Sequence, residues 1–119
     1  MKLFTKAQEA QLLANGIAQA DSFKTGVMPE GVKPVVKLFG GGSFTWLLSE
    51  IDPQCPDLAF GLCDLGMGSP ELGSVSLSEL ASLKFPPFGF PVELDENFKG
   101  EKPLSEYAEE ARAAGRIVA

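Results

Sequence analysis

The alternation of apolar and polar positions predicts a helix at each end of the chain and strands between them. Thr5 and Gln8 match a capping box, in which two side chains satisfy free backbone N–H groups at a helix start. An apolar stripe at helical spacing follows: Ala10, Leu13, Ala14 and Ile17. Glycine is a common helix stop, so this helix either ends at Asn15-Gly16 or continues to about Asp21.

A connection over residues 22–34 leads to four runs that are typical of strands: 35–39, 43–51, 58–65 and 71–77. The glycines at 40–42 separate the first two runs. They lead into a strand rather than a helix, so they indicate a hairpin turn and not a phosphate-binding loop. Within the second run Phe44, Trp46 and Leu48 share one face, while Leu47 and Ile51 fall on the other.

The last third of the chain combines a short helix, a proline-rich loop and a longer helix. Ser76 and Glu79 form a second capping box and predict a helix near 77–84. Residues 86–91 contain three prolines, which exclude regular structure, and 92–94 can form a short edge strand. Residues 103–114 predict a helix that begins at Pro103 and stops at Gly115.

These elements predict one α+β domain over residues 1–119. Consecutive strands with short turns form an antiparallel meander of four strands, or five with 92–94. The N-terminal and C-terminal helices are expected to pack on one face of this sheet. A sheet of this kind leaves two exposed edges, and pairing across one of them would produce a homodimer, an alternative that stays open.

Composition and charge narrow the classes of function. The chain is 45% hydrophobic with a net charge of −6, which excludes a disordered protein. Residues 39–83 contain six acidic and no basic side chains, which argues against direct nucleic-acid binding. Histidine is absent, and the two cysteines fit free thiols in a reducing compartment. No signal peptide or membrane span is predicted, so we expect a cytoplasmic protein without a cofactor.

Five carboxylates fall at strand ends or turns and form the first group of candidate site residues. If the meander gathers them along one rim, they could bind Mg²⁺ or Ca²⁺ or perform acid–base chemistry. Ordinary turn hydrogen bonding is the competing interpretation. The five are Glu50, Asp52, Asp57, Asp64 and Glu71.

Aromatic residues form the second group of candidates. Phe88 and Phe90 are flanked by prolines, and a rigid loop of this kind presents anchors to a partner at small entropic cost. The alternative is that both rings fold back over the edge of the core. Trp46 joins this group as a partner-binding candidate, although its apolar strand also suits a core position.

Four motifs of the chain carry a resemblance to a known family. They are Thr45-Trp46-Leu47-Leu48-Ser49-Glu50-Ile51-Asp52-Pro53, Asp57-Leu58-Ala59-Phe60-Gly61-Leu62-Cys63-Asp64-Leu65-Gly66, Pro70-Glu71-Leu72-Gly73-Ser74 and Lys102-Pro103-Leu104-Ser105. Together they resemble one bacterial family, the domain of unknown function 2958. Similar proteins are often encoded on plasmids and integrative elements beside transfer or antirestriction genes. The resemblance therefore implies an accessory role for a mobile element, but no catalytic residues.

Taken together, the sequence favours a small accessory protein that acts by binding another protein rather than by catalysis. Blocking a defence complex is one form of that role. The alternative function is a metal-dependent enzyme that uses the carboxylate rim on a phosphate or nucleotide substrate.

Overall fold

The computed structural model describes residues 3–25 and 32–119. The predicted connection over 22–34 is shorter than expected because the first helix continues to Thr25, and residues 26–31 lie outside the described residues. In chain order the elements are α1 (Lys6–Thr25), β1 (Val36–Gly40), β2 (Phe44–Ile51), β3 (Leu58–Asp64), β4 (Glu71–Ser76), α2 (Leu77–Ser82), β5 (Lys84–Phe85), β6 (Phe90–Pro91), β7 (Glu93–Leu94) and α3 (Leu104–Ala114).

The strands confirm the predicted α+β meander and its fifth strand. The main sheet is antiparallel with the order β4-β3-β2-β1-β7, and β5 and β6 form a separate two-stranded hairpin. The β1–β2 turn uses Gly41 and Gly42 at φ of 60° and 80°, a left-handed conformation that glycine adopts without a Cβ clash. The glycine run is thus a hairpin turn, as predicted.

Helices cover opposite faces of the sheet, which corrects the expectation that both pack on one face. Leu12 of α1 lies in a buried cluster with Trp46 and Leu48, and α2 adds Leu80 to that cluster. Tyr107 of α3 lies in a second cluster with Leu47. Successive residues of a strand point to opposite faces of the sheet. Leu47 therefore belongs to one layer of the core, and its neighbours Trp46 and Leu48 belong to the other. We call these the α1 face and the α3 face.

A β-bulge changes the register of β2 against β3 between Leu48 and Glu50. One residue is therefore inserted, and Ile51 joins Leu48 on the α1 face instead of sharing a face with Leu47. The strict alternation predicted for this strand is wrong beyond Leu48. The bulge also frees the carbonyl of Ser49, which accepts a 2.8 Å hydrogen bond from Asn15 Nδ2 of α1.

The start of α1 is confirmed, whereas its buried side is not the predicted one. Thr5 N donates to Gln8 Oε1 at 2.9 Å, and Gln8 N donates to Thr5 Oγ1 at 3.1 Å, so the capping box is reciprocal. Leu12 is fully buried, while Ile17 of the predicted stripe is 51% exposed. Gly16 does not stop the helix; it is buried against the Ile51 carbonyl, where no side chain fits.

The predicted caps of the later helices are confirmed. Ser76 precedes α2 and its Oγ accepts a hydrogen bond from Glu79 N. Gly115 follows α3 at φ 75°, and its N–H bonds the carbonyl of Ala111. The buried positions of α3 recur at helical spacing and include Tyr107. Its polar positions face solvent.

Candidate functional site

Among the side chains that the structure describes, the most exposed aromatic residues lie on the hairpin formed by β5 and β6, which we call the aromatic hairpin (residues 84–91). Phe85 pairs with Phe90 across it, and Gly89 N donates to the carbonyl of Phe85 at 2.7 Å. The turn contains a cis Pro86-Pro87 bond and Gly89 at φ 71°. Prolines with fixed φ and a left-handed glycine define this tight turn locally.

Phe85 fixes the base of the aromatic hairpin to the sheet. Its ring stacks on Phe44 with centroids 5.2 Å apart, and Phe44 stacks on Trp46 at 6.1 Å. The ring also lies directly over Gly40 and Gly41, where an added Cβ would approach it to 2.3 Å and 2.7 Å. The bare glycine backbone therefore makes room for Phe85, and a row of three rings connects the hairpin to the core.

Phe88 and Phe90 project from this fixed base into solvent. Phe88 is 76% exposed and Phe90 is 61% exposed, and their ring centroids lie 5.6 Å apart at 49°. The alternative in which both rings fold back over the core is therefore not the observed arrangement. Covering both rings would contribute about 1–2 kcal/mol each from apolar area alone.

Trp46, the third aromatic candidate, is a core residue. Its side chain is 2% exposed in the cluster of the α1 face. It cannot touch a partner while the chain is folded, so its position corrects its assignment to the partner-binding group. Phe85 was missed by the sequence analysis. Its place immediately before Pro86-Pro87, facing the glycine run, is the signal that could have found it.

The five carboxylates do not gather along one rim. Glu50 is the penultimate residue of β2, Asp52 directly follows that strand, and Asp57 immediately precedes β3. Asp64 ends β3 and Glu71 begins β4, so these two lie at the opposite end of the sheet. The seven residues of β3 separate the two groups by about 20 Å. Antiparallel strands place successive turns at alternate ends, which is why chain neighbours are spatially divided here.

Most of these carboxylates serve local structure. Asp57 accepts hydrogen bonds from Ser76 Oγ at 2.6 Å, Ser78 Oγ at 3.0 Å and Ser78 N at 2.9 Å, and these bonds hold its pKa below the ordinary value. Asp52 accepts from Gln54 N at 2.8 Å in a turn. The turn interpretation thus describes Asp52, whereas Asp57 joins the start of β3 to the start of α2, with partners 19 and 21 residues away in the chain.

Asp64 is buried at 4% exposure and bridges two distant parts of the chain. Its Oδ1 accepts from Gly66 N at 2.9 Å, and its Oδ2 accepts from Ile117 N at 3.0 Å. The second bond fixes the segment after α3, whose Ile117 packs against the α3-face cluster. Both oxygens of Asp64 are therefore engaged in holding the fold.

The described part of the chain contains no cluster of side chains that could hold a metal ion. Across residues 3–25 and 32–119, no group of three or more His, Cys, Asp or Glu side chains could hold a metal ion. Glu71 lines an open depression of about 530 Å³ together with Arg112. The single carboxylate rim that the metal-dependent enzyme hypothesis assumed is therefore not formed by the described residues.

The two cysteines are free thiols, as predicted. Cys55 is exposed in a turn, and Cys63 is partly buried on the α1 face. Burial raises the pKa of the Cys63 thiol to about 11, which keeps it protonated near neutral pH. The environment is therefore the reverse of the one that activates a nucleophilic thiolate.

Comparison with known proteins shows to which family the chain belongs. The model of a protein family described as "Protein of unknown function (DUF2958)" matches residues 3–118 of the 119-residue chain. The chain belongs to the DUF2958 family. No curated protein and no solved structure matches it. No helix of this DUF2958 protein, within its described residues, is long and apolar enough to cross a membrane.

Among the five carboxylates of this DUF2958 protein, Glu50 is the one whose surroundings disfavour the charged form. It lines a depression of about 350 Å³ with Phe60, Ser74 and Gln19. Burial, and then the nearby charge of Asp52, raise the pKa of Glu50 above its ordinary value of 4.5. Ionised Glu50 therefore opposes folding, and the stability from its protonated form is lost as pH rises through the raised pKa.

We expect Glu50→Gln to be more stable than the native chain near pH 7 and equal to it near pH 3. Glutamine keeps the shape but carries no charge at either pH. Thermal denaturation across this pH range measures the difference. Asp52→Asn is the matched control: it keeps the Oδ1 acceptor for Gln54 and removes the second cause, so it should reproduce a smaller part of the gain. An equal stability offset at both pH values would contradict the assignment.

Proposed function

We propose that this chain is a non-catalytic protein that acts by binding another protein, with Phe88 and Phe90 as its anchors. The observation that carries the proposal is their exposure, 76% and 61%, on a hairpin whose base is held by the Phe85 ring. Exposed aromatic pairs on a fixed support are typical of binding hot spots.

The physical argument concerns the entropic cost of binding. Pro86 and Pro87 restrict the turn, and the stacking of Phe85 on Phe44 fixes its base, so little backbone freedom remains to be lost on association. The two rings at 5.6 Å form one apolar unit rather than two separate contacts. The partner that suits this surface offers an apolar cleft wide enough for both phenylalanines.

The biological setting we propose is the one that the family resemblance implies. The chain would act in the bacterial cytoplasm as an accessory protein of a plasmid or integrative element. Inhibition of a restriction or CRISPR complex is one form of this role. The net charge of −6 supports a protein partner over nucleic acid as the direct target.

The test is capture of the tagged chain from a lysate of its bacterial host, with and without nuclease, followed by affinity measurement with the purified partner. We expect Phe88→Ala combined with Phe90→Ala to weaken binding at least tenfold, because truncated hot-spot aromatics each cost about 2 kcal/mol or more. The fold should be unchanged, since both rings are outside the core.

A matched control uses other exposed apolar side chains. Leu65 and Met67, in the β3–β4 loop, are 46% and 77% exposed, and their double alanine variant should bind normally. A partner that binds the Phe88/Phe90 variant as tightly as the native chain would refute the role of the aromatic hairpin. Loss of binding with the Leu65/Met67 variant alone would move the binding surface to that loop.

A further inference from the structure

The two edges of the main sheet are protected to very different degrees. At one edge β7 has two residues, and charged Glu93 and Asp95 flank its Leu94. Short edge strands with charges are a common protection against pairing with another chain. At the other edge β4 has six residues, and the segment from Leu72 to Ser76 contains no charge, no proline and no bulge against β3.

The β4 edge also carries apolar surface on the α3 face. Leu72 is 39% exposed there and lies opposite the buried Leu62 of β3. On the α1 face, the position of Gly73 is open, because an added Cβ would meet no atom within 4 Å. No other strand among the described residues pairs with β4 on this side. From Leu72 to Ser76 the edge is therefore open and uncharged.

We infer that β4 pairs antiparallel with β4 of a second copy, which joins two sheets into one of ten strands. A twofold axis through Gly73 places Leu72 opposite Ser74 of the second copy. Diagonal neighbours in an antiparallel pair lie about 7–8 Å apart, so the two Leu72 side chains meet across the axis. The twofold axis is perpendicular to the sheet, so the α3 faces of the two copies lie on the same side. Both Leu72 side chains lie on this α3 face.

The distribution of charge along β4 favours a second copy as the partner at this edge. In this register Glu71 lies opposite Val75, so the two Glu71 carboxylates are at opposite ends of the ladder and do not repel directly. The central residues are neutral and match one another. A ladder of five residues from each copy with two leucines is small, so the dimer has micromolar rather than nanomolar affinity. Salt strengthens it, because each copy carries a net charge of −6.

The test is the molar mass of the purified chain by light scattering or sedimentation, from about 1 to about 100 μM. The native chain is expected to pass from monomer to dimer within this range. Leu72→Lys should weaken the dimer at least tenfold, because it brings two like charges together at the axis. Ser74→Lys, at a position already polar and exposed, should do the same without disturbing the core.

Leu58→Lys is the matched control, because Leu58 has nearly the same exposure on the same face but lies one strand inside the edge. It should leave the dimer within about twofold of the native affinity. A native chain that stays monomeric throughout the range overturns the proposal, as does equal weakening by Leu58→Lys. The alanine variant of Phe88 and Phe90 should remain dimeric, so this result is independent of the proposed partner site.

Discussion

Gly16→Ala is expected to destabilise the fold by about 2–3 kcal/mol, although alanine is the better helix former. An alanine Cβ at this position of α1 would lie 1.8 Å from the Ile51 carbonyl oxygen and 2.9 Å from its carbon. Both are backbone atoms of β2, so the helix itself must move away from the sheet. That movement also strains the hydrogen bond from Asn15 to Ser49. The clash outweighs the gain of about 1 kcal/mol in helix propensity.

Denaturant unfolding with urea measures this change in the free energy of unfolding. Gly73→Ala is the matched control, since a Cβ there meets no atom within 4 Å and the backbone does not have a positive φ. It should change the stability by about 0.5 kcal/mol or less. If Gly16→Ala were neutral or stabilising, helix propensity would dominate and the close packing of α1 on β2 would be wrong.

The parts of the fold that the sequence could predict are those with local signals. The capping box at Thr5, the serine cap at Ser76 and the glycine stop at Gly115 act within four residues, and all three are confirmed. The strands were also recognisable, because each run of alternating or β-branched residues is bounded by glycine or proline. The antiparallel order followed from the short turns between consecutive strands.

The features that escaped prediction depend on distant partners. Ile17 lies on the apolar stripe of α1 but is half exposed, because Gly16 and not a side chain makes the close contact with β2. The bulge after Leu48 places Ile51 on the other face of the sheet. No residue type near the bulge predicts its position from the sequence. The choice of opposite faces for α1 and α3 likewise depends on long-range packing.

The same distinction applies to the candidate site. The prolines around Phe88 and Phe90 indicated a rigid loop from the sequence alone, but left open whether the two rings project into solvent or fold back over the core. The anchoring of Phe85 over Gly40 could not be seen, because these residues are far apart in the chain. The carboxylates were correctly placed at strand ends, but which end each occupies depends on the direction of its strand. The sequence therefore predicted one rim of five carboxylates, whereas the structure has two groups about 20 Å apart.

Asp64→Ala is the second large effect that we expect, at about 2–3 kcal/mol. The carboxylate is 4% exposed and accepts two backbone N–H bonds, from Gly66 and from Ile117. Alanine leaves both N–H donors without their protein acceptor. Because Ile117 is 53 residues away in the chain, the variant also releases the segment after α3 from the α3 face.

Asp52→Ala is the matched control for this prediction. Asp52 makes the same kind of turn bond, to Gln54 N, but it is exposed and has no long-range partner in its hydrogen bonding. Its loss should cost less than about 1 kcal/mol. Hydrogen exchange of the Ile117 amide supplies a second measurement, which should rise sharply in Asp64→Ala and stay unchanged in Asp52→Ala. Equal effects of the two variants would show that Asp64 acts only within its own turn, and the bond to Ile117 would then add nothing to the stability of the fold.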